Sequence, residues 1–217
     1  MGLILAEQKL LIALDDEKGR DTTRWGSDAG LAGALLLDLA RLELVNAEAG
    51  GTIVALAGAP PGHEVLRDVY ATIPSSSKPR DAKGSVEHLP RELGPLRRRV
   101  ARGLVRRGVL SEEHSKMLGI PSITRFPTVD SAPERDLRGR LRDVLLADRE
   151  PTEEEALRVG LLEPLGLTDS IVPKDRRIGA QAVAEQGLAG TAGRDAIRAV
   201  QAAVTAAIAA SAVVSAN

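Results

Sequence analysis

The sequence predicts a mainly α-helical fold: a single globular helical domain over residues 1–217, with central hydrophobic helices and two short β-hairpins, one of them exposed. Hydrophobic residues make up 43% of the chain, which is enough for a sizeable core. Most of them are aliphatic, and the only aromatic residues are Trp25, Tyr70 and Phe126. Ala and Leu favour helices, whereas aromatic side chains favour strands. Apolar residues also recur at the three- and four-residue spacing of a helix face.

The first half of the chain alternates apolar helical segments with polar breaks. We expect, in order, a helix over residues 3–14, a helix over 27–39, a hairpin formed by 42–45 and 52–56, a helix over 63–72 and a solvent-exposed linker over 74–85. The second helix is apolar on nearly every side, which is typical of a central position in the core. The Gly50-Gly51 pair favours the tight turn of the hairpin, because glycine accepts positive φ angles.

The second half has clearer start and stop signals. The predicted elements are, in order, a helix over residues 93–107, a short strand over 109–110, a helical turn ending at Leu118, a hairpin over 119–126 and helices over 132–146, 152–159, 165–171, 174–184 and 191–214. Gly108 is a typical left-handed cap for the first of these helices. Thr152 and Glu155 have the spacing of a capping box, in which each residue satisfies a free N–H of the other.

The residue types that carry most enzyme chemistry are absent or scattered. The chain has no cysteine, which excludes disulfides, thiolate metal sites and cysteine nucleophiles. His63, His88 and His114 are far apart in sequence and show no metal-ligand spacing. No acidic pair can be assigned as a general acid and base. We therefore expect a non-enzymatic protein that needs no cofactor and holds no metal.

The two ends of the chain show no strong targeting pattern. The first 14 residues lack the basic start and small-residue cleavage site of a secretory signal peptide. The run over residues 196–214 is long and apolar, but nearly half of it is Ala and it contains Arg198, Gln201 and Thr205. A buried helix is therefore favoured over a membrane span. These patterns predict a cytoplasmic protein.

Charge is distributed unevenly along the chain. The formal net charge is −1, but residues 90–142 contain 13 basic and six acidic residues, a local charge of +7. Within the helix over 93–107, Leu96, Val100 and Leu104 share one face. The arginines opposite this face are Arg98, Arg99, Arg102 and Arg106. Because guanidinium groups pair with phosphate oxygens, the pattern predicts a face for a polyanion, with an ordinary solvated helix face as the simpler alternative.

Three segments in the same order are similar to sequences of the Golgi phosphoprotein 3 family. They are LAEQKLLIALDDEKG at residues 5–19, SDAGLAGALLLDLARLELV at 27–45 and LRRRVARGLVRRGVLSEE at 96–113. The resemblance implies a helical core with an exposed hydrophobic β-hairpin. It also implies binding of phosphatidylinositol 4-phosphate in a pocket formed by one tryptophan and three arginines.

The resemblance and the charge pattern together give a set of candidate site residues. Trp25 lies in the loop that matches the family's tryptophan, and Arg97 matches one of its arginines, whereas the other two arginine positions fall on Ala32 and Gly94. The candidate ligands of a lipid head group are Trp25, Arg97, Arg98, Arg102 and Arg125. The candidate membrane-inserting side chains of the hairpin, for which core packing is the alternative, are Leu118, Ile120, Ile123 and Phe126.

We therefore expect a peripheral, non-enzymatic protein that binds phosphatidylinositol 4-phosphate or another anionic head group with its arginine-rich face and its hydrophobic hairpin. The expected partners are an anionic phospholipid or phosphoinositide and the membrane surface, and a protein client or a homo-oligomer is compatible with the sequence. A winged-helix DNA-binding regulator is the alternative, because an arginine-bearing helix precedes a hairpin. Nucleic acid is the weaker partner, since residues 95–108 offer almost no Asn, Gln, Ser or Thr for reading base edges.

Overall fold

Helices dominate the structure, as the sequence predicts. The computed structural model describes residues 2–15, 19, 21, 27–48, 51–75, 79–117, 120–177, 179, 182–183, 197–203 and 206. Within these ranges the helices are α1 (Leu5–Ala13), α2 (Ser27–Arg41), α3 (Glu64–Ser75), α4 (Ala82–Leu93), α5 (Leu96–Arg106), α6 (Ala132–Leu145) and α7 (Glu153–Leu162). The strands are β1 (Val45–Ala47), β2 (Ile53–Ala55), β3 (Glu113–Met117) and β4 (Ile120–Arg125). The strands form two separate antiparallel pairs, β1 with β2 and β3 with β4.

The helix α2 lies at the centre of the core. Its residues from Gly30 to Ala40 are all buried, and α1, α3, α4, α5 and α7 pack against it. A helix that is apolar on nearly every side can be surrounded by other helices without exposing apolar surface to water. The prediction of a central helix is therefore confirmed. Asp38 is the one charged residue in this buried stretch.

The helix α1 is buried over its whole length, including the polar residues Glu7, Gln8 and Lys9. Their partners are distant in sequence: Arg107 and His63 for Glu7, Arg158 for Gln8, and Ser27 and Asp21 for Lys9. Buried charged and polar groups are tolerated only when they are paired. Polar contacts thus tie α1 to several other elements, which its apolar spacing alone does not predict.

The predicted linker over residues 74–85 is wrong in its last part, because α4 begins at Ala82. The Asp81 side chain caps this helix by accepting a hydrogen bond from the Gly84 N–H at 2.8 Å. The apolar side chains that anchor α4 in the core are Ala82, Val86 and Leu89. Their spacing of four and three residues is that of a helix face, but the Ser, Pro, Lys and Gly residues around the start of α4 favoured a linker.

A glycine separates α4 from α5. The predicted helix over residues 93–107 starts only at Leu96, because Leu93 ends α4 and Gly94 has a φ angle of +74°. Residues with a Cβ atom rarely adopt this conformation, so glycine permits the sharp change of direction. Gly108, which also has a φ angle of +74°, follows the end of α5 as predicted.

The second hairpin begins earlier in the chain than predicted. The strand β3 occupies residues that were expected to form a helical turn, and it pairs with β4 so that Glu113 faces Arg125 and His114 faces Thr124. The sequence of β3, EHSKM, has no apolar alternation that would indicate a strand. Pairing with β4, which is richer in β-branched residues, decides its conformation.

The predictions for the last third of the chain are confirmed in part. The helices α6 and α7 lie where they were expected. In the described residues of the segments 165–171 and 174–184, which were predicted as helices, the bounded elements are the 3-10 turns Thr168–Ser170 and Lys174–Arg176. Residues 197–203 are helical. Of the helices in the described ranges, none has the length and hydropathy needed to cross a bilayer.

The predicted capping box at the start of α7 is present. Glu155 accepts a hydrogen bond from the Thr152 N–H at 2.9 Å, and Thr152 Oγ1 accepts one from the Glu155 N–H at 3.3 Å. Arg149 Nη2 also donates to Glu155 Oε1 at 2.6 Å. The hydrogen bond from Arg149, with those from Thr152, lowers the pKa of Glu155 to about 2, although burial opposes this shift.

Replacing Glu155 by Gln is expected to lower the free energy of unfolding near neutral pH by roughly 1–2 kcal/mol. The folded pKa lies below the ordinary value of 4.5, so the carboxylate stabilises the fold above pH 4.5, and this contribution is lost as the pH falls toward 2. Urea unfolding of both proteins across this pH range measures the difference. Glu153→Gln, in the exposed first turn of the same helix, is the control. If the stability difference between the wild type and Glu155→Gln stays constant down to the lowest pH, the pKa of Glu155 is not lowered.

Candidate anion-binding site at the base of the second hairpin

The helix α5 presents an apolar face to the core and an arginine-bearing face away from it. Leu96, Val100 and Leu104 are fully buried, as their spacing of four residues predicts. The arginines predicted on the opposite face are exposed, namely Arg98, Arg99, Arg102 and Arg106. The amphipathic character of this helix is therefore confirmed.

Carboxylates neutralise many of the arginines, so the cationic face is not continuous. The ion pairs of α5, its following turn and α6 are Arg99 with Asp68, Arg102 with Glu112, Arg106 with Glu64, Arg107 with Glu7, Arg138 with Glu134 and Arg140 with Asp136. Asp68, Glu64 and Glu7 lie outside residues 90–142. A count of charges within that segment therefore overstates the cationic surface.

Arg102, a predicted head-group ligand, is held by a carboxylate. Its Nε and Nη2 atoms donate to the two carboxylate oxygens of Glu112, both at 3.1 Å. These hydrogen bonds raise the pKa of Arg102 and lower the pKa of Glu112. Arg102 is therefore less available to an anionic ligand than an unpaired arginine is, and its role as a head-group ligand stays a prediction.

Two other arginines, Arg97 and Arg98, contact the base of the second hairpin, and a third, Arg125, is the last residue of β4. Arg97 Nη2 donates to the carbonyl oxygen of Gly19 at 2.7 Å, and its guanidinium carbon lies 5.5 Å from the centroid of the Phe126 ring. This is the geometry of a cation–π contact. Arg98 Nη2 donates to the hydroxyl of Thr124 in β4, and Arg125 ends that strand. Within the described ranges, no carboxylate forms an ion pair with Arg97, Arg98 or Arg125.

Two guanidinium groups of this cluster have unsatisfied donors. The Nε atoms of Arg97 and Arg125 are buried, and no acceptor among the described residues lies within hydrogen-bond distance of either. A buried donor without an acceptor destabilises a protein by about 1–3 kcal/mol, and by more when the group is charged. An oxyanion supplies such acceptors, because its oxygens accept charge-assisted hydrogen bonds from guanidinium groups.

Gly19 contacts both Arg97 and the backbone of Phe126. Its φ angle is +55°, and a Cβ atom at this position would lie 2.3 Å from the carbonyl carbon of Phe126. Its carbonyl oxygen accepts hydrogen bonds from both Arg97 Nη2 and the Phe126 N–H. Sequence reasoning missed this residue, for which a glycine in a polar loop is the only signal.

A buried cation lies behind the cluster. Lys9 Nζ donates to Ser27 Oγ at 3.2 Å and lies 3.6 Å from Asp21, while Ser27 Oγ also donates to Asp21. Burial lowers the pKa of Lys9; Asp21 opposes this effect, and the positive charge of Arg97 adds to it. The charge of Arg97 therefore affects the pKa of a buried side chain next to the start of α2.

The remaining predicted site residues have different outcomes. Trp25 and Leu118 lie outside the residues that the structure describes. Ile120 and Ile123 belong to β4, but their side chains also lie outside the described part. Phe126 is 1% exposed, so its interpretation as a membrane-inserting side chain is wrong. It belongs to the core below Arg97, because the chain turns inward after β4.

The family model of Golgi phosphoprotein 3 (GPP34) matches residues 5–208. The chain belongs to the Golgi phosphoprotein 3 family. The match includes all seven α-helices described above, both hairpins and the three arginines of the candidate site. No curated protein sequence matches the chain.

Ala32 and Gly94, which occupy two of the arginine positions implied by the resemblance, provide no charged side chain in this domain. Ala32 is fully buried in α2, and Gly94 forms the turn before α5, so neither position supplies a cation. Among the residues that the structure describes, no group of three or more His, Asp or Glu residues is placed to hold a metal ion.

Replacing Gly19 by Ala is expected to destabilise the protein by roughly 2–4 kcal/mol, because the added Cβ atom collides with the Phe126 backbone and the φ angle is strained. Gly51→Ala is the control: its φ angle is +80°, but nothing lies within 4 Å of the added atom. We expect a loss of about 1 kcal/mol for this second change. Chemical unfolding measures both, and equal losses contradict a close contact at Gly19.

Proposed function

We propose that this protein is a peripheral membrane protein that binds anionic phospholipid head groups through Arg97, Arg98 and Arg125. The observation that carries this proposal is the pair of buried, unsatisfied Nε donors of Arg97 and Arg125. Phosphate oxygens are acceptors of the kind that such guanidinium donors lack, provided the two side chains turn outward to meet the head group. The planar fork of the guanidinium group suits this role better than a lysine ammonium group does.

The proposed binding is reversible recruitment to a membrane. A cation close to an anionic membrane surface contributes on the order of 1 kcal/mol, so three arginines contribute about 3 kcal/mol. The hairpin β3–β4 rises from the same place, and apolar side chains near its turn add binding energy if they enter the interfacial region. Both contributions are needed for a stable association, because neither is large.

Family membership supports a lipid-binding role. The residues at the site favour low selectivity among anionic head groups. With Ala32 and Gly94 at two of the family's arginine positions, the site has fewer cations than the family pattern. We therefore propose that net negative charge at the membrane surface determines binding, with phosphatidylinositol 4-phosphate as one of several suitable head groups.

Binding without catalysis is the other part of the proposal. The groups at the site are guanidinium ions, a backbone carbonyl and an aromatic ring. Guanidinium remains protonated in proteins, so these arginines cannot exchange protons as a general acid or base. The proposed role is that of a docking module in the cytoplasm. The winged-helix alternative has no observation in its favour, since α5 packs against α1 and α2 and most of its outward arginines are held in ion pairs.

Vesicle sedimentation of the full chain tests the lipid-binding site. We expect binding to phosphatidylcholine vesicles that contain phosphatidylglycerol and none to pure phosphatidylcholine vesicles. The double variant Arg97→Gln/Arg125→Gln is expected to bind about thirtyfold more weakly, corresponding to about 2 kcal/mol for two arginines. Arg135→Gln/Arg142→Gln removes the same charge from exposed positions of α6 and is the control. Equal binding by the two double variants contradicts a local site, and equal binding to both vesicles contradicts the function.

Selectivity is tested with vesicles of matched surface charge that contain either phosphatidylinositol 4-phosphate or phosphatidylglycerol. We expect the two affinities to agree within about threefold, which corresponds to about 0.7 kcal/mol. An interaction driven by surface charge alone does not depend on which head group carries the charge. A preference of about a hundredfold for the phosphoinositide would show that the site reads the position of a phosphate group.

A further inference from the structure

A histidine of the second hairpin lies next to one of the arginines of the candidate lipid site. His114 belongs to β3 and pairs with Thr124 of β4, and its Nδ1 atom lies 3.4 Å from Thr124 Oγ1. The same hydroxyl accepts a hydrogen bond from Arg98 Nη2. One threonine side chain therefore places an imidazole ring beside a guanidinium group.

Both the ring of His114 and the guanidinium group of Arg98 are accessible from outside the protein. The side chain of His114 is 53% exposed, and Arg98 lies on the outward face of α5. The ring can therefore exchange protons with water, and a polyanion that reaches Arg98 meets the ring as well. His63 differs in both respects, because its ring lies against the buried carboxylate of Glu7.

The charged groups that face the ring carry more positive than negative charge. Glu112, just before β3, lies 3.7 Å from His114, measured from Oε1 to Nε2. Arg102 of α5 already donates two hydrogen bonds to this carboxylate. These hydrogen bonds lower the pKa of Glu112 against the effect of burial, and the charges of His114 and Arg98 add to the shift. One carboxylate thus faces two arginines and the ring.

No second carboxylate of the described residues forms an ion pair with the ring. The next cross-strand pair of the hairpin is Glu113 with Arg125, which supplies one charge of each sign. The two arginines of α5 and the carboxylate of Glu112 together have a charge of +1, and protonation of His114 raises this charge to +2.

Histidine is the side chain that ordinarily changes its charge between about pH 5 and pH 8. An anionic membrane stabilises a positive charge close to its surface, so it favours the protonated form of a nearby ring. Proton binding and membrane binding then strengthen each other, because linkage between two binding events is reciprocal. A solvent-accessible ring beside Arg98 meets the conditions for such linkage.

We propose that His114 is a proton-dependent ligand of the anionic membrane surface, which binds head groups together with Arg98 when its ring is protonated. This inference rests on the proposed lipid-binding function and adds a response to pH. With a neutral ring, the protein depends on its arginines alone. With a protonated ring, a further cation enters the contact, and docking becomes stronger as the pH falls.

Vesicle sedimentation of the full chain at about pH 5.5 and at about pH 7.5 tests the proposal. The vesicles contain phosphatidylcholine and phosphatidylglycerol, whose phosphodiester stays ionised at both pH values. We expect the wild type to bind about fivefold more tightly at the lower pH, the contribution of one cation near an anionic surface. His114→Gln is expected to lose this rise. His88→Gln removes another partly exposed histidine, which pairs with Glu92 in α4, and is expected to keep it.

His114→Lys separates the charge of the side chain from any structural role of the ring. A lysine ammonium group at an exposed position is charged at both pH values. This variant is therefore expected to bind at the higher pH about as tightly as the wild type does at the lower pH, and to show no rise.

The outcomes separate this proposal from the lipid-binding function itself. A rise that persists in His114→Gln overturns the proposal, and so does weak binding of His114→Lys at the higher pH. Equal binding of the wild type at the two pH values also overturns it, while the lipid-binding function stands because binding is still observed. Absence of binding at both pH values contradicts the lipid-binding function, and the role of His114 fails with it.

Discussion

The buried carboxylate of Glu7 is the interaction on which much of the structure depends. Glu7 is fully buried in α1, where one oxygen accepts from Arg107 at 2.9 Å and from the Ile4 N–H at 3.1 Å, and the other faces His63. A buried carboxylate is stable only with such partners, and the loss of one partner is strongly destabilising. Glu7 therefore fixes the residue after α5 and the connection before α3 to the same turn of α1.

The arginines of this protein divide into two groups with different roles. Those on the outward face of α5 that pair with Asp68, Glu112 and Glu64 join α5 to neighbouring elements. These pairs are exposed, so each contributes little to stability, but they remove cations from the surface that a ligand meets. Near the second hairpin, the Nε donors of Arg97 and Arg125 instead have no acceptor among the residues that the structure describes. The local sequence does not separate the two groups of arginines. They differ in whether a carboxylate lies within reach in the folded chain.

Local patterns predict the elements whose determinants lie close together in the chain. The apolar run of α2, the amphipathic spacing of α5 and the Thr152–Glu155 cap are examples, and all three are confirmed. The start of α4 was missed because the Ser-, Pro- and Gly-containing composition around it favoured a linker, although Asp81 caps the helix and its three buried apolar residues have helical spacing. The hairpin strand β3 was missed because its conformation depends on pairing with β4.

The site itself could be predicted only in part, for the same reason. Arg97, Arg98 and Arg125 were identified from charge and resemblance, but the ion pair of Arg107 joins residues that are 100 positions apart, and that of Arg106 joins residues 42 apart. No local count of charges reveals such partners. The same holds for Gly19 and Phe126, whose contact depends on how two loops meet in space.

The pairing of the α5 arginines has a consequence for how the protein responds to ionic strength. Mobile ions screen exposed charges over about 8–10 Å at physiological salt, and they act on internal pairs and on external ligands together. A guanidinium that is already paired releases few counterions when a polyanion approaches. If the proposed lipid binding holds, its salt dependence should reflect the few cations near Arg97 that have no carboxylate partner among the described residues. Binding by all thirteen basic residues of the segment would give a much steeper response.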